Sequence, residues 1–322
     1  MNHTPPYPAT HSPKPNPFLS RSTIIYAGAL VVSAALVWAA VASNSDEGLS
    51  VWGAIVLGLV EGLTEYLPIS STGHLLVTEE ILGLGNTENE QAALEAYAIC
   101  IQAGAILAVL VLYYSRIRQM VDGLIGRSDQ GRKVLIAVVA AFIPTAIIGL
   151  ALKNIVREQL FGPLPIAAAW LVGGIAILAL TRSGVLSAPG AGLESITATQ
   201  AVLIGVGQAI ALWPGVSRSL VTIIVGVLVG LSLAAAVEFS FLLGLVTLSA
   251  ATVLTAIEDG DLLVETFGYV TPAVGLVVAF VAAMASVRWM VSWLQQKGLN
   301  VFGFYRIIIG VALFAAIGVG LV

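Results

Sequence analysis

Groups that could bind a metal or carry protons are concentrated in residues 61–74, which read EGLTEYLPISSTGH. This stretch holds the carboxylates of Glu61 and Glu65, three consecutive hydroxyls and His74 within an otherwise apolar sequence. Because Glu61 and Glu65 are four residues apart, a helix would place both carboxylates on one face, one turn apart. Two neighbouring carboxylates need a cation, and their oxygens favour a hard one such as Mg²⁺ or Ca²⁺.

The centre of this stretch predicts a break between two helices. Pro68 has no N–H and biases the residue before it away from the α region, so the first helix should end there. The hydroxyl residues Ser70, Ser71 and Thr72 suit the start of a second helix, whose free N–H groups and positive dipole end attract an anion. Together with the histidine, a proton carrier one turn beyond Ser71, the stretch predicts a site for metal-bound phosphate.

A second polar stretch, residues 214–219 with the sequence PGVSRS, interrupts another apolar run. Its Arg218 would lie at membrane depth, where a cation needs an anion or a buried carboxylate as a partner. We expect Ser217 and Ser219 to cap the following helix or to bind phosphate, and Gln208 to orient ligands of the site.

A purely structural role is the alternative for the buried charges. Glu61 and Glu65 could pair with Arg218 only to hold two helices together, but two acids against one base leave a charge for a metal or proton to balance. We interpret Glu95 and Glu238, which begin two equivalent spans, as structural residues that favour the helix dipole, or alternatively as residues that support ligands of the site.

The composition is that of a polytopic membrane protein. Of the 322 residues, 58% are hydrophobic and 10% are charged, compared with about 25% charged residues in soluble domains. The net charge of −4, without a basic stripe, argues against a nucleic-acid partner. A single cysteine, Cys100, excludes an intrachain disulfide, and His3 and His11 lie in a polar tail, so an all-histidine metal site is excluded.

The order of the apolar segments predicts the architecture. Residues 1–22 are rich in proline and predict a disordered tail, and residues 23–43 predict an extra transmembrane helix, with a cleaved signal as the alternative. Two interrupted segments and three spans follow, and the same order then occurs again. The predicted segments are 51–67, 71–84, 93–114, 134–152, 165–181, 199–213, 220–231, 237–257, 268–293 and 305–322.

The repeated order predicts an all-α membrane protein with an inverted-topology repeat. The first repeat covers residues 51–182 and the second 196–322, each comprising a re-entrant helical hairpin and three transmembrane helices. Three crossings separate equivalent points, so the second hairpin enters from the opposite face. The two hairpin tips can then meet near the midplane.

The distribution of charges predicts the orientation. The basic 115–133 loop should be cytoplasmic under the positive-inside rule. Counting crossings then puts most other basic residues on or near that side, Arg306 included, and only Lys153 and Arg157 outside. Acidic residues such as Glu258 fall in the outer segments. The first hairpin therefore enters from outside, and we expect the site to face outward.

Two long motifs, at 61–74 and 211–219, resemble those of the bacterial undecaprenyl-diphosphate phosphatases, the BacA-type bacitracin-resistance proteins. Shorter matches at 101–104 and 238–243 follow the family's order and spacing, and the resemblance covers about residues 50–322. It implies removal of the terminal phosphate from undecaprenyl diphosphate, which returns the lipid carrier to peptidoglycan synthesis. It also implies six spanning helices, two re-entrant hairpins and a divalent cation, Mg²⁺ or Ca²⁺.

The resemblance also implies roles for individual residues. Glu61 and Glu65 match the family's acidic pair, the expected metal ligands. The other matched positions are Ser70, Ser71, His74, Ser217, Arg218 and Ser219. The metal would bridge the diphosphate, Arg218 and backbone N–H groups would hold the developing charge, and either Ser71 or a water would attack phosphorus. Residues 220–222 read LVT where the family commonly has GAT, and residues 230–233 lack an arginine that is frequent in the family.

Two other functions share features with this sequence. Inverted repeats with broken helices also occur in secondary transporters, so a transporter or flippase of a polyprenyl phosphate or small anion is the alternative. An acid-phosphatase-like lipid phosphatase is excluded, because no histidine follows Ser217 and Arg218. The expected partners are a polyprenyl diphosphate and membrane lipids in the bacterial plasma membrane, and a homodimer is one assembly compatible with the sequence.

Overall fold

The computed structural model describes residues 48–321, so the predicted tail and the predicted N-terminal helix (1–22 and 23–43) lie outside the described residues. Within residues 48–321 the chain is all α, with no strand beyond one isolated bridge between Ala191 and Leu231. The eleven α-helices are α1 Val51–Thr64, α2 Ser71–Ile81, α3 Glu88–Leu112, α4 Tyr114–Leu124, α5 Asp129–Gln159, α6 Pro163–Arg182, α7 Ala198–Gln208, α8 Arg218–Leu228, α9 Leu233–Phe267, α10 Val270–Lys297 and α11 Asn300–Gly318.

Six of these helices are long and apolar enough to cross a membrane, namely α3, α5, α6, α9, α10 and α11. They correspond to the six uninterrupted spans predicted from residue 93 onward. The helices α1, α7 and α8 are apolar but shorter. The prediction of an all-α, multi-pass membrane protein is confirmed.

Several helices extend beyond the predicted spans. Helix α9 continues to Phe267 through the acidic residues 258–265, which were expected in an outer segment, because polar residues can prolong a helix once it has left the hydrocarbon. The predicted 115–133 loop contains α4, a short helix with basic and apolar residues on different faces. A search for apolar spans misses a helix of this kind, because its mean hydropathy is low.

The two polar stretches interrupt helices, as predicted. Helix α1 ends at Thr64, three residues before the predicted end, and residues 65–69 form turns that lead into Ser70. Helix α7 gives way to the 3₁₀ segment Ala209–Leu212, and α8 begins directly after Ser217. Ser70 and Ser217 have φ values of 75° and 77°, and no other non-glycine residue of the described chain has a positive φ.

The broken helices lie close to the long ones. Helix α1 packs against α10, and α7 packs against α5. A Cβ on Gly62 of α1 would collide with the carbonyl oxygen of Ala279, and a Cβ on Gly205 of α7 would collide with that of Ala141. Glycine is therefore required at both crossings, where the backbones of two helices touch.

Charged residues at the helix ends form two separate groups. Arg116 of α4 bonds Glu238 at 2.6 Å and Glu194 at 2.9 Å, so Glu238 has the structural role expected for it. The backbone N–H of Glu194 and the Arg116 guanidinium lower the pKa of the Glu194 carboxyl. Lys153 pairs with Glu258 at 3.4 Å, which brings together two residues that were both expected outside.

Arg306, which we expected on or near the cytoplasmic side, is fully buried within the protein. Its side of the membrane stays a prediction. Helix α11 begins at Asn300 rather than at residue 305, so Arg306 lies almost two turns inside the helix. The segment before 305 contains Gly298, Asn300 and Gly303, residues of low helix propensity, so the sequence pattern predicts a later start than the backbone shows.

Candidate active site

The carboxylate of Glu65, in the turn after α1, is held by residues from both helix breaks. Its Oε2 accepts a hydrogen bond from the Ser71 hydroxyl at 2.5 Å, and its Oε1 bonds Arg218 Nη2 at 2.9 Å. Glu65 is 8% exposed, so this ion pair is almost fully removed from solvent. The pairing holds an acid, a hydroxyl and a cation within contact of one another, as phosphoryl-transfer chemistry requires.

Arg218 is fixed by contacts on several sides. Its Nη1 donates to the backbone oxygen of Ser240 at 2.9 Å, and its guanidinium carbon lies 5.4 Å from the centre of the Tyr66 ring. A side chain on Gly244 would collide with the guanidinium, so the glycine leaves the room that Arg218 occupies. The arginine is thereby set beside Glu65 with little freedom to move.

A cavity of about 200 Å³ opens beside the Glu65–Arg218 pair. Seven of the ten predicted site residues line it, namely Glu65, Ser70, Ser71, Thr72, Gln208, Ser217 and Arg218. Trp213 and Leu212 add apolar surface. The two polar stretches are more than a hundred residues apart in the sequence. The structure brings both of them to this one cavity.

The other three predicted residues, Glu61, His74 and Ser219, do not line this cavity. Ser219 is fully buried, and its hydroxyl donates to the backbone oxygen of Leu67 at 2.9 Å. The Ser217 hydroxyl lies 3.0 Å from that of Ser219 and 3.4 Å from the same carbonyl. These hydroxyls connect the second break to the first.

Glu61 offers the best fit for a cation. It is 1% exposed, and its Oε1 has no hydrogen-bond partner within the described chain. An unpartnered buried carboxylate oxygen is an oxygen donor of the kind that Mg²⁺ and Ca²⁺ bind. Residues 48–321 contain no group of three or more histidine, cysteine or acidic side chains that could hold a metal. Any cation here would therefore take most of its ligands from water or phosphate.

His74 turns away from Ser71, although the spacing suggested that the two could meet. Its Nδ1 lies 2.6 Å from the backbone oxygen of Ser70, and its Nε2 lies 2.8 Å from the Tyr305 hydroxyl. A carbonyl oxygen can only accept, so Nδ1 carries a proton and Nε2 is the nitrogen that faces Tyr305. The ring also packs against Trp170, with centroids 4.8 Å apart.

Arg306 holds both helix breaks in place and has no carboxylate partner within residues 48–321. Its guanidinium donates to the backbone oxygens of Pro68 at 3.2 Å, Gly215 at 2.9 Å and Ala169 at 2.8 Å. Pro68 belongs to the first break, Gly215 to the second and Ala169 to α6. One buried cation thus satisfies the carbonyls of Pro68 and Gly215 in the two helix breaks and links them to the carbonyl of Ala169 in the uninterrupted helix α6.

The sequence interpretation missed five residues around the site: Thr145, Ser240, Thr247, Tyr305 and Arg306. Only Arg306 carried a usable signal, because a charge inside an apolar helix needs the same explanation as Arg218. Threonine, serine and tyrosine are common in membrane helices, where their hydroxyls often bond the backbone of their own helix. Their types alone therefore do not distinguish a site residue.

Comparisons with known proteins agree with this geometry. The family described as "Bacitracin resistance protein BacA" matches residues 54–312. The chain is 41% identical over 262 residues to an undecaprenyl-diphosphatase of Sorangium cellulosum, covering 80% of this chain and 83% of the relative. It is 38% identical over 260 residues to an undecaprenyl-diphosphatase of Aquifex aeolicus, covering 80% and 95%. It is 39% identical over 275 residues to "Undecaprenyl-diphosphatase 2" of Rhodospirillum rubrum, covering 84% and 96%. The chain belongs to the BacA family of bacitracin resistance proteins.

Proposed function

We propose that this protein is an integral-membrane phosphatase that hydrolyses undecaprenyl diphosphate to undecaprenyl phosphate and phosphate. Its relatives bear the name of this activity. The observation that carries the proposal is the buried contact of Glu65 with both Ser71 and Arg218 beside a polar cavity. Recycling of the lipid carrier for peptidoglycan synthesis, and bacitracin resistance, follow from this reaction.

Arg218 and the start of α2 would receive the terminal phosphate. The Ser70 side chain makes no capping hydrogen bond to α2, so the first N–H groups of this helix remain available. Free N–H groups at a helix start bind phosphate, and an arginine adds charge-assisted hydrogen bonds. In this arrangement Ser70 and Thr72 would border the phosphate, and Ser217 lines the same cavity.

Glu65 would control the proton of the attacking group. The Ser71 hydroxyl already donates to Glu65, so the carboxylate can draw the proton from Ser71 as this oxygen attacks phosphorus. It can equally draw a proton from a water bound at the same place. Trapping distinguishes the two routes, because a phosphoserine at Ser71 requires the first, whereas full activity of Ser71→Ala requires the second.

A divalent cation, Mg²⁺ or Ca²⁺, would be held by Glu61 together with Glu65. The unpartnered oxygen of Glu61 supports this assignment. Both Glu65 oxygens already have partners, so Glu61 would be the principal protein ligand and the diphosphate would supply others. When bound, the cation would neutralise charge on the phosphate oxygens.

His74 would act as the acid or base that exchanges protons with the surroundings. Its Nε2 faces the Tyr305 hydroxyl, and Tyr305 is 38% exposed. This hydroxyl is therefore placed to exchange a proton with the ring. To reach Ser71 directly, the ring would first have to leave Tyr305.

We further propose the inverted-repeat architecture with two re-entrant hairpins. Ser70 and Ser217 share almost the same backbone angles, with ψ values of 104° and 113°. This match pairs Ser70 with Ser217, one residue away from the pairing of Ser71 with Ser217 that the motifs suggest. Packing supports the repeat as well, since α1 against α10 is matched by α7 against α5.

The site is proposed to face outward in the bacterial plasma membrane, as the charges suggest. Thr72 is exposed and lines the cavity, which makes it a suitable reporter. A cysteine introduced at Thr72 should react in intact spheroplasts with a thiol reagent that cannot cross membranes. Labelling only after permeabilisation would contradict the outward orientation.

Phosphate release in detergent tests the function. Wild-type protein should release phosphate from a polyprenyl diphosphate when Mg²⁺ or Ca²⁺ is present, and release should stop on chelation. Soluble diphosphate should be a poor substrate, because it lacks the tail that lies between the helices and lipid. The rival transporter function, favoured by broken helices around a cavity, predicts no release but flux of lipid phosphate or small anion in proteoliposomes.

A further inference from the structure

A hydrogen-bonded cluster of three side chains forms the cavity wall contributed by α5, α7 and α9. Gln208, the last residue of α7, is 2% exposed. Its Nε2 donates to the hydroxyl oxygen of Thr145 on α5 at 3.0 Å and to that of Thr247 on α9 at 3.4 Å. All three residues line the same cavity as Glu65, Ser71 and Arg218.

The hydrogen bonds of the two threonines fix the orientation of the amide. The Thr145 hydroxyl donates to the backbone oxygen of Gly205 at 2.7 Å, and the Thr247 hydroxyl donates to that of Leu243 at 2.8 Å. Each hydroxyl has one proton, so both threonine oxygens can only accept from Gln208. The amide must therefore turn its NH₂ group toward the threonines, and both of its N–H donors are then used in these two hydrogen bonds.

The remaining atom, Gln208 Oε1, has no partner within residues 48–321 and is buried. A buried acceptor without a donor is unfavourable, so a donor is expected beside it when the site is filled. An ionised phosphate oxygen is itself an acceptor and cannot serve. Mg²⁺ and Ca²⁺ can bind amide oxygens, but their protein sites also contain carboxylates, and the three side chains of this wall are neutral. The matching ligand is an O–H donor, and the smallest is water.

We propose that Gln208, oriented by Thr145 and Thr247, positions the water that attacks phosphorus, an assignment that rests on the proposed phosphatase function. In the direct route, the water oxygen bonds to the terminal phosphorus, and the bond from that phosphorus to the bridging oxygen breaks. The electron pair leaves with undecaprenyl phosphate. The proton of the water passes to Glu65, directly or through the Ser71 hydroxyl.

The same position serves a covalent route. If Ser71 attacks first, undecaprenyl phosphate leaves in that step and a phosphoserine remains. The water then bonds to the phosphoserine phosphorus, and the bond from phosphorus to Ser71 Oγ breaks. In the first step Glu65 passes the proton that it took from Ser71 to the departing undecaprenyl phosphate. Its Oε2 can then accept the proton of the water and return it to Ser71 Oγ as the bond from phosphorus to this oxygen breaks.

The test compares Gln208→Leu with Gln200→Leu, an identical change on the same helix. The Gln200 amide makes its hydrogen bonds away from the cavity. Its Nε2 donates to the backbone oxygen of Val229, and its Oε1 accepts from the backbone N–H of Thr197. Gln208→Leu should lower kcat for phosphate release by about 100-fold, because misplacing a reactant has an effect of that order. The metal concentration for half activation should remain within about twofold, since the water is not a metal ligand. KM should also stay within about twofold in the direct route, whereas in the covalent route it should fall together with kcat because phosphoserine accumulates. Gln200→Leu should keep the wild-type kcat.

Single-turnover kinetics separate the two routes. In the direct route, Gln208→Leu should slow the formation of undecaprenyl phosphate and of free phosphate equally. In the covalent route, undecaprenyl phosphate should form at the wild-type rate and free phosphate should lag, with phosphoserine accumulating. Either pattern supports the assignment of Gln208 to the water.

Other outcomes overturn the proposal. A folded Gln208→Leu protein with wild-type kcat would show that no water depends on this residue. A change confined to KM would make Gln208 a phosphate ligand, and a change confined to metal activation would make it a metal ligand. If Gln208→Leu does not fold, Thr247→Val decides, since loosening the amide should lower kcat about tenfold and an unchanged kcat would contradict the mechanism. Failure of the wild type to release any phosphate would instead refute the proposed function.

Discussion

The two helix breaks share a backbone shape and differ in chemistry. Ser70 and Ser217 have φ and ψ values within 10° of each other, and each precedes the first residue of a short helix. The residues that follow them, Ser71 and Arg218, contact the same carboxylate, Glu65. One break contributes the hydroxyl and the other the cation. Under the proposed inverted repeat, the two breaks supply complementary halves of one site.

The starts of α2 and α8 also differ in how they are capped. The Ser217 hydroxyl accepts a hydrogen bond from the backbone N–H of Leu220 at 3.3 Å, which caps α8. The Ser70 side chain makes no such bond to α2. The second break therefore satisfies part of its own helix start, while the first leaves its N–H groups for a ligand.

The acidic residues Glu61 and Glu65 belong to the polar stretch around the first break, and the stretch around the second break has no acidic residue. When Ser70 is paired with Ser217, Glu61 corresponds to Gln208 and Glu65 to Leu212. Glu61 and Gln208 are both buried, and within residues 48–321 the Oε1 of each has no hydrogen-bond partner. The carboxyl oxygen suits a cation, and the amide oxygen suits a water. Under the proposed inverted repeat, equivalent positions would thus supply two kinds of ligand.

The largest effect is expected from Glu65→Gln. The change keeps the shape of the side chain but removes the charge that pairs with Arg218 and the acceptor that takes the Ser71 proton. Phosphate release should fall by about 10³-fold, the order seen when a charge-stabilising group is removed from an active site. The assay is phosphate release from a polyprenyl diphosphate in detergent with Mg²⁺.

Glu80→Gln is the matched control for this change, because Glu80 is an exposed acid on α2. It should retain wild-type activity. Comparable activity of folded Glu65→Gln and Glu80→Gln proteins would show that the first break takes no part in the chemistry.

A smaller effect is expected from Arg306→Lys, which tests whether the two breaks must be held together. A lysine has one nitrogen and cannot reach three carbonyls with the geometry of a guanidinium. Each carbonyl left unpaired should cost about 1–3 kcal/mol. We expect a lower Tm in detergent and about tenfold lower phosphate release, because the breaks would shift relative to one another.

The exposed Arg182 provides the control for Arg306, as Arg182→Lys at the end of α6 should change neither quantity. A loss of Tm in Arg306→Lys without any loss of activity would show that Arg306 supports the fold but does not position the breaks.

The smallest effect is expected from a pair of glycine substitutions that compare the two serines directly. Both residues have a positive φ, which glycine adopts without strain. Ser70→Gly should be neutral or raise the free energy of unfolding by up to about 1 kcal/mol, because no cap is lost. Ser217→Gly should lower it, because the hydrogen bonds to Leu220 and Ser219 disappear. Equal shifts in Tm for the two variants would contradict the difference in capping.

Most of the fold could be predicted from the sequence because a membrane limits the choices. The predicted span 165–181 compares with Pro163–Arg182, and 93–114 compares with Glu88–Leu112. Apolar length identifies such helices reliably, since the hydrocarbon core must be crossed. Their ends were less predictable, because helices such as α9 continue into polar sequence. Helix α4 was missed because it is amphipathic and does not span.

The acidic and basic parts of the site could also be predicted, since Glu65 and Arg218 are too costly at membrane depth to lack partners. The contacts between individual atoms of the site could not be predicted. Nothing in the sequence indicates that Thr145, Thr247 and Gln208 converge from three helices, or that His74 contacts Tyr305. Such contacts depend on the rotation and crossing of packed helices, which a single sequence does not specify.

The most direct test of the account exchanges the charges of the two breaks in a Glu65→Arg, Arg218→Glu double variant. Each single change leaves a buried charge without its partner and should lower Tm. The double change restores an ion pair and should recover most of that Tm. The account predicts that phosphate release stays at least about 10³-fold below wild type, because the acid then lies beside the second break, away from Ser71 and Glu61. Recovery of phosphate release along with Tm would show that the pair is only structural, and would contradict the assignment of the chemistry to the first break.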